Sequence, residues 1–433
     1  MLIQDLILHN YKVFENFKME FHPTLTVIVG KNGSGKSTIL EGVAIAAGSL
    51  FSSLDGVTNS GIKRSDAHYK YFDMGSSVDV QPQYPVEILA HGIVDGTEIS
   101  WKRSLNGENG KTTIGDAKEI TKISTEYQRR LRNGDTSLIM PVIAYYGTGR
   151  LWDQHREKKA DTFKKNTRTN GYIDSLDGTA NIKLMIKWFQ KMAFIDAQRS
   201  EPSPEFIAVR GAMEQCFSLM TGIQDVKVQF NPDTLEIDIV YLEVGRGKIR
   251  IPLNQLSDGY RCTLSLIADI AYRMAILNPQ LLENVLTKTN GIVLIDEVDL
   301  HLHPAWQQRV LDDLTSIFPK VQFIVTTHAP AVINSVKSDN LVVLENYHTI
   351  QVDNQVYGKD IKSVLNEIMG GVTERPPKVA KLFDMFYEQL AIHQFDKAGQ
   401  ILDQIDEIRD YHDPEVAGCR VKLKLEYMRG QKQ

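Results

Sequence analysis

Three features of the 433-residue sequence predict an α/β fold: a mixed sheet, an antiparallel β lobe, a helical subdomain and a C-terminal helical tail. Short, mainly apolar runs at 27–29, 291–295 and 323–327 have the length and composition of strands buried on both faces. Strict alternation over 86–105, folded about Asp95-Gly96, is the pattern of an antiparallel hairpin with one face in a core. Apolar residues recurring every three or four positions at 184–195, 206–220 and 264–277, and again beyond 379, mark amphipathic helices. A chain of this length is expected to divide into two or three lobes, because a single core stops growing below this size.

From the N-terminus, Leu2, Ile3, Leu6, Ile7 and Leu8 form a first strand and Met19, Glu20 and Phe21 a second, with Pro23 as a break. Residues 27–38 then read Val-Ile-Val-Gly-Lys-Asn-Gly-Ser-Gly-Lys-Ser-Thr: a buried strand, a glycine-rich loop and a helix start. Gly30, Gly33 and Gly35 open backbone conformations closed to other residues, so the N–H groups of the loop, Asn32 and Ser34 included, can face phosphate oxygens. The helix beginning at Ser37 and Thr38 adds the positive end of its dipole. Lys36 is placed to reach the β- and γ-phosphates of a nucleoside triphosphate, and the Ser37 hydroxyl to ligate Mg²⁺.

Residues 51–78, rich in Ser, Gly and Asp, show little periodicity and are expected to be a surface loop or insertion. A helix is expected over 117–132 and a strand over 138–146. Residues 150–169 carry seven basic side chains, among them Arg150, Lys158 and Arg168, against three acidic ones, a local charge of +4. This is the best candidate for contact with nucleic acid, but no aromatic ladder is interleaved with the charges, which favours a solvated loop. Strands follow at 226–230, 235–242 and 248–252.

Ser257-Asp258-Gly259 then opens an apolar helix, and a hydroxyl plus free N–H groups at such a start make a second phosphate-binding surface. The apolar run 291–295 ends in Asp296-Glu297. Such a pair divides labour naturally, Asp296 bonding the Mg²⁺ shell and Glu297 orienting and deprotonating an attacking water. The run 323–327 ends in His328, whose imidazole can hydrogen-bond a γ-phosphate. His301 and His303 could share a cation, but no third ligand is near in sequence, and Pro304 suits the ordinary start of a helix.

The ordered set GKNGSGKST, LSDGY, IVLIDEVDLHLHP and IVTTHAP resembles the ABC-type ATPases related to the chromosome-maintenance, RecF and OLD proteins. That resemblance implies Mg²⁺-dependent hydrolysis of ATP sandwiched between two copies of the chain, in a homodimer or higher oligomer. The P-loop, Asp296, Glu297 and His328 of one copy would face Ser257 and Gly259 of the other, with Asp299 at the seam. Asn10-Tyr11-Lys12 matches the family's opening, Lys12 standing among the nucleotide-binding residues where Arg is more usual. The segment 144–150 occupies the place of a Mg²⁺-sensing glutamine, yet contains none. No sustained heptad repeat separates Lys36 from Ser257, so a long coiled-coil arm is not expected. Together with the segment 145–150 and a short helical tail, the pattern resembles the ATPase subunits of Septu antiphage systems, also found with some retrons. The partner so implied is an HNH nuclease subunit, which the ATPase would regulate. A repair ATPase acting directly on DNA is the alternative, and a transporter motor is disfavoured because Asp258 and Tyr260 replace the Gly and Gln of transporter signatures.

An ATPase domain is accordingly expected over 1–355, with a helical subdomain inserted at about 182–280, and a helical region for docking or partner binding over 356–433. Lys and Arg total 49 against 54 Asp and Glu, a net charge of -5, so no global basic footprint for nucleic acid exists. Cys216, Cys262 and Cys419 are scattered without metal or disulfide spacing, as suits a reducing cytoplasm. Neither a signal peptide nor a membrane-spanning run of about 18 apolar residues is evident.

Overall fold

The computed structural model describes all residues except 60, 114, 150–166, 179–181, 200–201, 351, 353–354, 369–375, 409–413 and 431–433. Residues 1–358 form one compact unit and 359–433 another. In the first, β1 (Leu2–Tyr11) and β2 (Phe14–Glu20) precede β3 (Leu25–Gly30) and α1 (Lys36–Ala47). Next come β4 (His68–Asp73), β5 (Val78–Gln83), β6 (Val86–Val94), β7 (Thr97–Leu105), α2 (Lys118–Arg132) and β8 (Val142–Tyr146). Helices α3 (Ile182–Gln198) and α4 (Pro204–Thr221) lead to β9 (Lys227–Asn231), β10 (Glu236–Glu243), β11 (Gly247–Pro252) and α5 (Asp258–Leu277). The unit ends with β12 (Gly291–Ile295), β13 (Val321–Thr327), β14 (Leu341–Glu345) and β15 (His348–Ile350).

These strands form a six-stranded sheet of order β15-β14-β3-β13-β12-β8, parallel apart from its β15 edge. β12 and β13 are buried along their whole length; β12 reads as an unbroken apolar run, while β13 also buries the polar Gln322, Thr326 and Thr327. Because β3, β13, β12 and β8 run in one direction, the residues that follow them share one edge, where open α/β sheets bind ligands. A four-stranded antiparallel sheet, β2-β1-β6-β7, lies across α1. A Cβ at Gly42 would come within 3.0 Å of Leu8 and 3.3 Å of Leu6, so glycine there lets α1 approach β1. The Trp101 indole of β7 donates to Ala46 O at the far end of α1, at 2.9 Å.

Gln322 joins the two sheets. Its Oε1 accepts from Ile3 N at 2.9 Å and its Nε2 donates to Ile3 O at 2.8 Å and His22 O at 3.0 Å, so the side chain stands in for a missing strand neighbour. The β6–β7 hairpin turns at Asp95 and Gly96 with φ of 52° and 76°, the left-handed pair that a tight hairpin requires.

Several expectations need correction. Residues 68–83 of the expected insertion and the segment after it form the hairpin β4–β5, hidden from pattern reading because most of its positions are exposed on both faces. The β14–β15 hairpin turns at Asn346 and Tyr347, both left-handed, whereas the sequence pointed to Asp353-Asn354, which lies outside the described residues. Most of the basic stretch 150–169 is also outside them. Arg168 is described, and its guanidinium donates to the carbonyls of Leu277 and Leu138, both at 2.6 Å, which makes it an internal clamp.

In the second unit, helices Pro377–Ala391, Phe395–Ile408 and Pro414–Gly430 pack around Phe383, Phe386, Leu402, Ile405 and Val416. Arg420 there pairs with the buried Asp406. No helix among the described residues is long and apolar enough to cross a membrane.

Gln322→Leu removes three hydrogen bonds and leaves both polar groups of Ile3 without partners in a dry core. A loss of about 3 kcal/mol is expected from urea denaturation followed by fluorescence. A loss below about 1 kcal/mol would mean that Gln322 does not hold the sheets together.

Candidate nucleotide site

The glycine-rich loop leaves β3 at the centre of the six-stranded sheet. Gly33 and Gly35 have φ of 80° and 101°, so the chain can reverse and enter α1 only with glycine at these points. A Cβ at Gly30 would lie 2.5 Å from Leu344 O, and the loop therefore sits tight against β14. Lys36 is buried, and its ammonium donates to Gly30 O at 2.8 Å and Lys31 O at 3.1 Å, turning it back over the loop. Burial lowers the Lys36 pKa, while the nearby Asp296, Glu297 and Asp299 offset part of that effect. The Ser34 hydroxyl is buried without a hydrogen-bond partner, a polar atom in the cradle suited to a ligand oxygen. Asn32 and Ser37 are exposed and Thr38 is half-buried, the three lying in the loop and first helical turn.

Asp296 meets this loop from two strands away. Its Oδ2 accepts from Ser37 Oγ at 2.6 Å, although 259 residues separate the two in sequence. Its Oδ1 accepts from Thr326 Oγ1 at 2.5 Å, and its own N–H donates to Tyr146 O at 2.8 Å. Thr326, at the end of β13, also accepts from Glu297 N at 2.8 Å. Glu297 holds a left-handed φ of 48°, and that bond fixes the unusual backbone where the side chain departs. Thr327 in turn donates to Asp299 Oδ1 at 2.5 Å.

His328 follows directly and is half-buried. Its pKa is lowered, first by burial and then by Lys36, with the three acids pulling the other way, so the imidazole is neutral at pH 7. The parallel sheet thus gathers the loop, Lys36, Ser37, Asp296, Glu297 and His328 at one edge. Sequence reasoning missed Thr326 and Thr327. Two hydroxyls at the end of a fully buried strand were the available signal, because buried hydroxyls require partners.

Three other predicted residues lie differently. Lys12, with φ of 50°, sends its ammonium to Glu41 of α1, and Asp66 is 3.8 Å away. It reaches the loop through its neighbours, since a Cβ at Gly35 would lie 2.5 Å from the Phe14 ring and 3.1 Å from Val13. Ser257 is the exposed N-cap of α5. Gly259 is buried, and a Cβ there would come within 2.6 Å of His301 O, so this first turn packs against the loop after the acid pair. Tyr260 and Trp306 seal that contact with rings 4.3 Å apart. Among the described residues, Ser257 and Gly259 make no hydrogen bond to residues 30–38 of the same chain.

Ser37 and Asp296 suit a hard cation that keeps water and phosphate oxygens in its shell, the habit of Mg²⁺. Among the described residues no group of three or more His, Cys, Asp or Glu side chains could hold a metal ion. The His303 imidazole accepts from Ala305 N at 3.3 Å and so caps the short helix Pro304–Gln307.

A family model described as "AAA domain" matches residues 5–203. Another, described as "AAA domain, putative AbiEii toxin, Type IV TA system", matches residues 152–334. The retron Ec83 probable ATPase of Escherichia coli is 28% identical over 93% of this chain and 83% of its own length. The retron Vc95 probable ATPase of Vibrio cholerae serotype O1 biovar El Tor is 26% identical over 84% of this chain and 78% of its own. Septu protein PtuA of Bacillus thuringiensis is 24% identical over 90% of this chain and 89% of its own. With its phosphate-binding loop and its matches to AAA domain models, the chain is an ATPase, homologous to Septu PtuA proteins and to the probable ATPases of retrons.

Proposed function

We propose that two copies of this chain close on ATP and Mg²⁺ and hydrolyse ATP to ADP and phosphate, and that this cycle controls a partner nuclease of the HNH type in antiphage defence. The observation that carries the catalytic part is the 2.6 Å bond between Ser37 and Asp296, which joins the phosphate loop to the acid pair. The relatives named for Septu and retron systems support the defence role. The helices of residues 359–433 are our candidate for docking that partner.

The loop from Gly30 to Gly35, including Asn32 and Ser34, receives the phosphates together with the first turn of α1 at Thr38. Lys36 exchanges its loop carbonyls for β- and γ-phosphate oxygens. Ser37 and Asp296 would hold Mg²⁺, which when bound neutralises charge on the β- and γ-oxygens. Glu297, its backbone fixed by Thr326, orients the attacking water and takes its proton. His328 is neutral and offers an N–H to the γ-phosphate. Ser257 and Gly259 of the second copy close the site with the N-terminus of α5, while Lys12 braces the β1–β2 turn behind Gly35.

Glu297→Gln is expected to lower turnover by about two to three orders of magnitude while ATP stays bound and the chain elutes as an ATP-loaded pair in size-exclusion light scattering. Lys36→Ala is expected to abolish nucleotide binding in equilibrium titration. Unchanged turnover in both variants would remove the site from consideration.

Acid titration supplies a separate check. Because burial and Lys36 lower the His328 pKa, the acid decline of kcat/KM, which reports the free enzyme, should be centred below pH 6.5, the ordinary imidazole value. A break above pH 6.5 that disappears in His328→Gln would contradict a neutral imidazole.

A further inference from the structure

Tyr146 stands where the sequence offered no glutamine to relay nucleotide state, and its surroundings suggest what takes that place. It is the last residue of β8, and its carbonyl receives the Asp296 N–H at 2.8 Å. Its hydroxyl donates to Asp269 Oδ2 at 2.7 Å, and Asp269 lies on α5, the helix that begins at Ser257. Arg273 Nε donates to the same oxygen at 2.7 Å, and its Nη1 donates to Gly171 O at 3.0 Å and Ile173 O at 2.9 Å. All three side chains are sealed from solvent, Tyr146 at 1%, Asp269 at 0% and Arg273 at 2% exposure.

We propose that Tyr146 is a positioning residue whose hydroxyl, bonded to Asp269, carries the placement of α5 to Asp296, so that engagement of Ser257 by nucleotide on a second copy sets the acid pair for hydrolysis. The proposal rests on the site reading above. One side chain bridges the helix that bears the second phosphate-binding turn and the strand end that holds the first acid. A displacement of α5 must either break this bond or move the Tyr146 backbone, to which Asp296 is tied.

Stability alone is a poor account of the arrangement. Apolar residues of the same volume at 146, 269 and 273 would avoid burying an ion pair, and such replacements are often as stable or more so. The network is also left unfinished, because Asp269 Oδ1 is buried with no hydrogen-bond partner. A half-satisfied buried carboxylate is costly in a fixed structure. It is better suited to an element that changes its bonding when α5 moves.

Tyr146→Phe tests this, since the ring, the packing and the carbonyl that holds Asp296 remain and Arg273 still pairs with Asp269. ATP affinity, measured with a fluorescent analogue, should stay within about twofold of the parent, while kcat falls about tenfold or more. Placed in the Glu297→Gln chain, the same change should still permit the ATP-bound pair, which locates the defect after assembly. An unchanged kcat overturns the relay, as does a loss of ATP affinity in proportion to the loss of kcat. Should Glu297→Gln be inert and Tyr146→Phe fully active, the relay alone fails. Should Glu297→Gln itself turn over normally, the site reading and the relay fail together.

Discussion

The hydrogen bond from Ser37 to Asp296 is the constraint on which the rest of this molecule turns. It closes a loop of 259 residues and brings the Ser37 hydroxyl, in the first turn of α1, beside a carboxylate at the end of β12. For that to occur, β3 and β12 must point the same way with a single strand between them, and β13 supplies it. The strand is more than a spacer, since Thr326 binds the second oxygen of Asp296 and the backbone of Glu297. Burying Asp296 without these donors and without Lys36 nearby would be expensive. Polar side chains with matched partners make a charged edge tolerable in an otherwise apolar sheet.

Support for that edge comes from further away. Gln322 fixes β13 to β1 through backbone-like bonds, and Trp101 and Gly42 hold α1 between the two sheets. Phe14, the first residue of β2, meets Gly35 at the end of the phosphate loop. The antiparallel lobe therefore stabilises the conformation of the loop from behind. Lys12 contributes to the turn between β1 and β2 through Glu41, a role in which its charge is used within the chain.

The sequence made the parallel core legible because strands buried on both faces are mainly apolar, and the ionisable or glycine residues that end their apolar stretches stand out by contrast. Gly30, Asp296 and His328 each follow such a run, and the structure has them at one edge. The β4–β5 hairpin escaped notice for the opposite reason: Tyr71, Met74 and Val78 are exposed, so no alternation records an inner face. Arg168 looked like surface charge because sequence counts charges and cannot see carbonyls such as Leu138 O waiting for a donor. Thr326 and Tyr146 carried little signal, since their importance lies in a single hydroxyl aimed at a residue remote in sequence.

One chain leaves the proposed site incomplete. Ser257 is exposed at the head of a helix that is otherwise largely buried, and Gly259 fixes that head against the loop after the acids. Shared sites can be tested by mixing a Lys36→Ala chain with a Ser257→Arg chain, each inactive alone. A mixed pair contains one site with both defects and one with neither, so equal mixing should restore about a quarter of the wild-type turnover through statistical pairing. Turnover that stays at the level of the separate variants, although mixed pairs are shown to form, would contradict an ATP site shared between two copies.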